Sequence, residues 1–203
     1  MSVVVKICGL RSADDARAAV AAGADLLGLN FAPPSPRAID VAAARAIAAA
    51  VPGMPLVGVF VDAARDDVAR IAEAVGLAGL QFHGDEPPAD CRGFAQWTMK
   101  ALRARPGEDL AARAAAYDTD YLLLDTFVAG RAGGTGVAID PGAARHLPAA
   151  RLFVAGGLRP ETVADVVRAV RPHGVDVASG VERSPGVKDH GKIQEFVRRA
   201  KAA

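Results

Sequence analysis

The stretch VVVKICGLRSADDARAAVAAGADLLGLNF, residues 3–31, decides the architecture. Residues 3–8 are a short run rich in β-branched apolar side chains, the composition of a strand. Ser12-Ala13-Asp14-Asp15 follows as an S-x-x-D cap, and an alanine-rich helix runs from it to Gly23, a residue suited to ending a helix. Residues 26–31 are a second strand. Strand, helix and strand in so short a span make a crossover unit, and a helical crossover sets its two strands parallel.

The same unit recurs to the end of the chain. Strands are predicted at 56–61, 79–83, 95–101, 121–125, 152–155 and 175–179. Between them lie an alanine-rich helix to about Val51 and a stripe of Val68, Ile71, Ala72 and Val75. A short helix near 88–92, one from 108 to 117, and one carrying Val163, Val166, Val167 and Val170 follow. A closing helix presents Ile193, Phe196, Val197 and Ala200. Eight strand–helix units predict an α/β fold, a single-domain (β/α)8 TIM barrel over residues 1–203. An open doubly wound sheet would carry a G-x-G-x-x-G turn after the first strand; the turn here is Cys8-Gly9-Leu10-Arg11.

Composition narrows the function. The 203 residues are 51% hydrophobic and 23% charged, which excludes a disordered chain. Lys+Arg 24 against Asp+Glu 23 leaves a net charge of +1, so neither nucleic acid nor a membrane is expected as a partner. Aromatics at 5% leave little for base stacking. No apolar run approaches the roughly 18 residues that span a bilayer. Cys8 and Cys91 give neither a disulfide framework nor a zinc spacing, so no metal is expected. With no basic leader before the apolar residues 3–5, a cytoplasmic location is expected.

Polar residues on buried parallel strands are the next signal, because an unpaired buried charge costs several kcal/mol. Lys6 and Cys8 share one face of the first strand, and Gln81 and His83 one face of the fourth. Gln96, Thr98 and Lys100 share a face of the fifth, Asp125 ends the apolar run of the sixth, and Asp176 interrupts the eighth. These faces are expected to point into the barrel and meet at its C-terminal mouth, where barrel enzymes hold their chemistry. Taken singly, Cys8 reads equally as a small buried hydrophobe, His83 as a core histidine and Arg37 as a solvated loop charge. Cys91 sits on a short outer helix and receives no role.

Three glycine-rich turns follow the last three strands. They are Gly133-Gly134-Thr135-Gly136, Gly156-Gly157-Leu158-Arg159-Pro160 and Ser179-Gly180-Val181-Glu182. Glycine lets backbone amides approach an anion, and Pro160 suits the first turn of the next helix. Side by side at the mouth, they predict a cradle for a phosphorylated small molecule.

In these residues the chain resembles the phosphoribosylanthranilate isomerases of tryptophan biosynthesis. The resemblance runs through Lys6-Ile7-Cys8-Gly9, Asn30-Phe31, Ser35-Pro36-Arg37, Leu80-Gln81-Phe82-His83-Gly84 and Leu124-Asp125-Thr126. It continues through Gly133-Gly134-Thr135-Gly136, Gly156-Gly157-Leu158, residues 176–182 and Ser184-Pro185-Gly186-Val187-Lys188-Asp189. One departure is Ile139-Asp140-Pro141, where the family usually has an aromatic on each side of the Asp. The resemblance implies an Amadori rearrangement without metal or organic cofactor, in a monomer or homodimer. It implies Asp125 as general acid and Cys8 as general base, with Arg37 facing the anthranilate carboxylate. Gly156, Gly157, Ser179 and Gly180 would hold phosphate, Gly134 and Gly136 would bind substrate, and Gln81, His83 and Asp176 would line the site in roles the resemblance leaves open. Lys6 is expected to lower the thiol pKa, and burial to raise that of the carboxyl.

Three rivals fit less well. A histidine-pathway sugar-phosphate isomerase would end the first strand in Asp and show a half-barrel repeat. A non-catalytic phosphate-binding barrel would not need both Cys8 and Asp125. A cysteine hydrolase needs an oriented histidine, and His83 shows no orienting partner in the sequence.

Overall fold

Eight parallel strands pair in chain order and close on themselves in the computed structural model, which describes residues 2–103, 109–125, 144 and 147–203. They are β1 (Val4–Cys8), β2 (Leu26–Asn30), β3 (Leu56–Phe60), β4 (Gly79–Phe82), β5 (Trp97–Arg103), β6 (Tyr121–Asp125), β7 (Leu152–Ala155) and β8 (Gly174–Val177). The ring closes where β1 pairs with β8, with Lys6 opposite Asp176. Helices α1 (Ala13–Ala21), α2 (Val41–Ala50), α3 (Arg65–Val75), α4 (Leu110–Ala115), α5 (Val163–Val170) and α6 (His190–Lys201) lie outside. No helix among the described residues is long and apolar enough to cross a membrane.

The helices begin where a side chain can accept from an unpaired amide. Ser12, Asp40, Asp109 and Asp189 each accept from the backbone three residues on, a cap worth about 1 kcal/mol. An antiparallel pair after β8, β9 (Glu182–Ser184) with β10 (Val187–Lys188), was not anticipated. Its strands are too short to carry a two-residue period.

The apolar residues form two layers. Ile7, Leu27, Leu80, Leu122, Val154 and Val175 pack outward against Ala16, Ile47, Val68 and Phe196 of the helices. Inside the ring, Met99, Ala101, Leu123, Phe153 and Ala155 pack with Val4, Leu26, Trp97 and Tyr121. Trp97, Tyr121 and Phe153 meet edge to face with centroids 5.3 and 5.4 Å apart, plugging the end where the strands begin. The opposite end is left to shorter and polar side chains.

The face expected for the fifth strand is reversed. Trp97, Met99 and Ala101 point inward, whereas Thr98 and Lys100 point out of the ring. Lys100 finds its partner there: its Nζ lies 2.6 Å from Glu86 Oε2 and 2.7 Å from the Gly84 carbonyl. Both faces of a barrel strand are buried, so a polar residue marks a partner, not a direction. Gln96 precedes β5 altogether.

Candidate active site

At the C-terminal end of β1, alternation turns Lys6 and Cys8 into the barrel. Lys6 is fully buried, and its Nζ lies 3.0 Å from Asp176 Oδ1 on β8. Gly28 on β2 makes room for both: a Cβ there would fall 2.6 Å from Cys8 Sγ and 3.0 Å from Lys6 Nζ. Burial works to lower the Lys6 pKa, but Asp176 and the thiol beside it outweigh burial and hold it above its ordinary value. The thiol goes the other way from expectation. Burial pushes Cys8 up, and the opposing pull of Lys6, with a smaller one from Lys188, does not reverse it.

Asp125 ends β6 on the face shared with Leu123, so it too looks inward. Its Oδ2 lies 3.2 Å from His83 Nε2, and His83 Nδ1 lies 2.9 Å from Gln81 Nε2. The side chains of His83 and Asp125 keep 20% and 16% of their exposure, enough to be reached from the mouth. His83 follows directly on β4, and it has the orienting partners that the sequence alone did not show. Both ring nitrogens are engaged by residues other than Cys8, which leaves a hydrolase without its cysteine–histidine pair.

Arg37, on the loop after β2, is held by two bonds from Nε and Nη2 to the carboxylate of Glu182, at 2.8 and 2.7 Å. Lys188 Nζ lies 3.0 Å from the same carboxylate and 2.9 Å from the Ala178 carbonyl. Burial raises the Glu182 carboxyl, but these two cations outweigh it and hold it below the usual range. Burial pushes Lys188 below its ordinary value. Gly9 permits the arrangement: at φ 74° it turns the chain tightly, and a Cβ there would fall 2.5 Å from Arg37 Cδ. Glu182 and Lys188 were quoted in the sequence only as part of a motif. The Glu182 contact with Arg37 spans 145 residues, for which no local pattern exists, and Lys188 joins that carboxylate from six residues away.

The loops after β7 and β8 touch. Gly156 and Gly157 adopt left-handed φ of 88° and 69°. Ser179–Val181 form a single 3-10 turn, and a Cβ on Gly180 would run into the Leu158 carbonyl. Two glycine turns thus lie backbone to backbone at the mouth. Gly134 and Gly136, and the Ile139-Asp140-Pro141 departure, lie outside the described residues.

A further buried cluster supports the turn that carries His83. Glu86 Oε1 accepts from the amides of Asp62 and Gly84 at 2.9 and 3.1 Å, while Lys100 binds its other oxygen. The sequence reading missed Glu86, whose only local signal was the acidic pair Asp85-Glu86.

A family model described as N-(5'phosphoribosyl)anthranilate (PRA) isomerase matches residues 5–199 of this chain. A relative from Pseudomonas fluorescens named N-(5'-phosphoribosyl)anthranilate isomerase is 49% identical over 194 residues, 95% of this chain and 92% of its own. The crystal structure of phosphoribosyl anthranilate isomerase from Thermotoga maritima is similar with a TM-score of 0.89 at 36% identity, covering 99% of this chain and 100% of its own. A second crystal structure, with a TM-score of 0.85, 36% identity and coverage of 99% and 100%, is of a phosphoribosyl anthranilate isomerase in complex with reduced 1-(o-carboxyphenylamino)-1-deoxyribulose 5-phosphate.

Proposed function

The chain belongs to the N-(5'-phosphoribosyl)anthranilate isomerase family, and we propose that it performs that family's Amadori rearrangement in tryptophan biosynthesis with Asp125 as general acid and Cys8 as general base. The observation that carries the reading is the inward placement of one thiol and one carboxyl at the C-terminal ends of β1 and β6, with a fully buried cation, Lys6, beside the thiol.

The chemistry balances on those two groups. Asp125 gives a proton to the furanose ring oxygen as the bond from C1 to that oxygen breaks, and the aniline nitrogen lone pair forms the Schiff base. Cys8 as thiolate then takes the C2 proton; the C2–H electrons form C1=C2, and the C=N pair returns to nitrogen. The enolamine loses its O2 proton and gains one at C1, giving the ketone. Carbon C1 is reduced and C2 oxidised within one molecule, so no external oxidant or reductant enters. Each positioned proton donor or acceptor contributes roughly a hundredfold to ten-thousandfold.

The remaining residues bind. The Arg37–Glu182 pair occupies Nε–H and one N–H of Nη2, which leaves further guanidinium donors for the anthranilate carboxylate. Gly156, Gly157, Ser179 and Gly180 supply backbone amides for the phosphate. Asp176 neutralises Lys6, so the ring interior holds a cation without an excess charge.

The test is a fluorescence assay with freshly prepared phosphoribosylanthranilate, run beside the histidine-pathway aminoimidazole substrate. Turnover of the former is expected, with severe loss in both Cys8→Ser and Asp125→Asn. Near wild-type rates in either variant would remove that residue from its role.

A further inference from the structure

Gln81 and His83 together decide how Asp125 is presented. Gln81 is buried, its Nε2 is 2.9 Å from His83 Nδ1, and its Oε1 is buried without a partner among the described residues. The reverse amide orientation would bury a wholly unpaired NH2 instead, and orphaned buried donors are rarer than under-satisfied carbonyls. The amide therefore donates and Nδ1 accepts. An imidazole whose Nδ1 is an acceptor carries its single hydrogen on Nε2. That nitrogen lies 3.2 Å from Asp125 Oδ2 and donates to it.

We infer that Gln81 and His83 are positioning residues for the general acid: Gln81 sets the His83 tautomer, and the His83 Nε2–H engages Asp125 Oδ2, so that this oxygen accepts and the acid proton is not spent on the imidazole. The inference rests on Asp125 being the acid. With the opposite tautomer, Oδ2–H would be donated to the imidazole and withheld from the ring oxygen. Once the proton has left, the same N–H faces a full carboxylate, and a charge-assisted bond is roughly twice as strong as a neutral one. The contact thus strengthens along the reaction, which is the condition for accelerating it. Among the described residues, the charged groups around the pair are Arg103, level with Asp125 on β5, and Asp85, Lys100 and Arg113, which line a cavity with His83. Lys100 is paired with Glu86, and Lys6 with Asp176.

The experiment measures kcat and KM for phosphoribosylanthranilate against pH in Gln81→Glu, His83→Ala, His83→Gln and Asp125→Asn. In Gln81→Glu the new carboxylate accepts from Nδ1–H and favours the doubly protonated imidazole. Asp125 then parts with its proton more readily, so the alkaline limb of kcat moves to lower pH. The expected loss in kcat is roughly tenfold to a hundredfold, the size seen when a partner that orients a functional group is altered, with KM nearly unchanged. His83→Ala loses kcat as well, and His83→Gln restores part of it, because its amide N–H can stand where Nε2–H stood. An unmoved alkaline limb in Gln81→Glu, or an unaltered kcat in His83→Ala, overturns the inference. So does a loss in His83→Ala that His83→Gln does not mend. Asp125→Asn separates the two readings: an active Asp125→Asn defeats the acid assignment itself, whereas an inactive one beside silent Gln81 and His83 variants rejects only their positioning role.

Discussion

Lys6 Nζ and Asp176 Oδ1 lie 3.0 Å apart inside the barrel, on the two strands that close it, with side-chain exposures of 0% and 7%. A pair so buried gives little net stability, because desolvating both charges consumes most of their attraction. Its value is local. It keeps a cation beside the thiol of Cys8 while the ring interior stays neutral.

Lys6→Met should therefore be costly, since it strands the Asp176 carboxylate in the barrel. Removing one partner of a buried pair typically costs about 3–5 kcal/mol, read as a lower urea midpoint. The double variant Lys6→Met/Asp176→Leu should recover most of that stability without recovering activity, because the thiol has lost its cation. A double variant that is both stable and fully active would detach the pair from Cys8.

Much of this was legible beforehand. Eight apolar runs alternating with helical stripes are enough for a closed barrel, and the polar residues picked out on its strands pair inside it, Lys6 with Asp176 and His83 with Asp125. Contacts distant in the chain and burial account for the rest. The fifth strand was turned inside out because Lys100 answers to Glu86, on the loop after β4, and nothing within β5 says so. Arg37 taken singly looks like a solvated loop charge for the same reason, its partner Glu182 being remote in the chain. The thiol's raised pKa was misjudged because Lys6 was visible in the sequence and the burial of Cys8 was not.

That raised thiol makes a second prediction. Burial disfavours the thiolate, so Cys8 should ionise at a pH above the ordinary thiol range despite Lys6. The thiolate ultraviolet absorbance of the wild type minus that of Cys8→Ser isolates this group from Cys91, which burial pushes up to about 11. The rising limb of kcat/KM should track the same titration, with turnover increasing as pH climbs from neutral. A thiolate already formed at neutral pH would mean that Lys6 wins over burial.

The Glu86–Lys100 pair predicts an acid sensitivity. Burial raises the Glu86 carboxyl, but the bond from Lys100 and the Asp62 amide outweigh it, so it is held below its ordinary value. A carboxyl with a depressed folded-state pKa stabilises the fold above its unfolded value of about 4.3 and loses that contribution as pH falls through the lower folded value. Glu86→Gln should be less stable at neutral pH, by about 3–5 kcal/mol for a broken buried pair, and the gap to wild type should narrow below about pH 4. Urea unfolding of both proteins across that range checks it; a gap that stays constant with pH would assign the loss to packing instead.

Gly180 is where the proposed phosphate cradle can be tested without touching the proposed acid and base. A Cβ at this position would run into the Leu158 carbonyl, so Gly180→Ala must part the loops after β7 and β8. The backbone amides proposed to hold one phosphate from two loops then no longer converge. Losing one such bond to a charged group costs about 1.5–3 kcal/mol, which is roughly a tenfold to hundredfold weaker grip. The phosphate lies away from the bonds that change, so its grip is shared by ground and transition states, and KM should rise more than kcat falls. Inorganic phosphate, tested as a competitive inhibitor, should weaken by the same factor. Unchanged phosphate inhibition in a folded Gly180→Ala would place the anion elsewhere on the molecule.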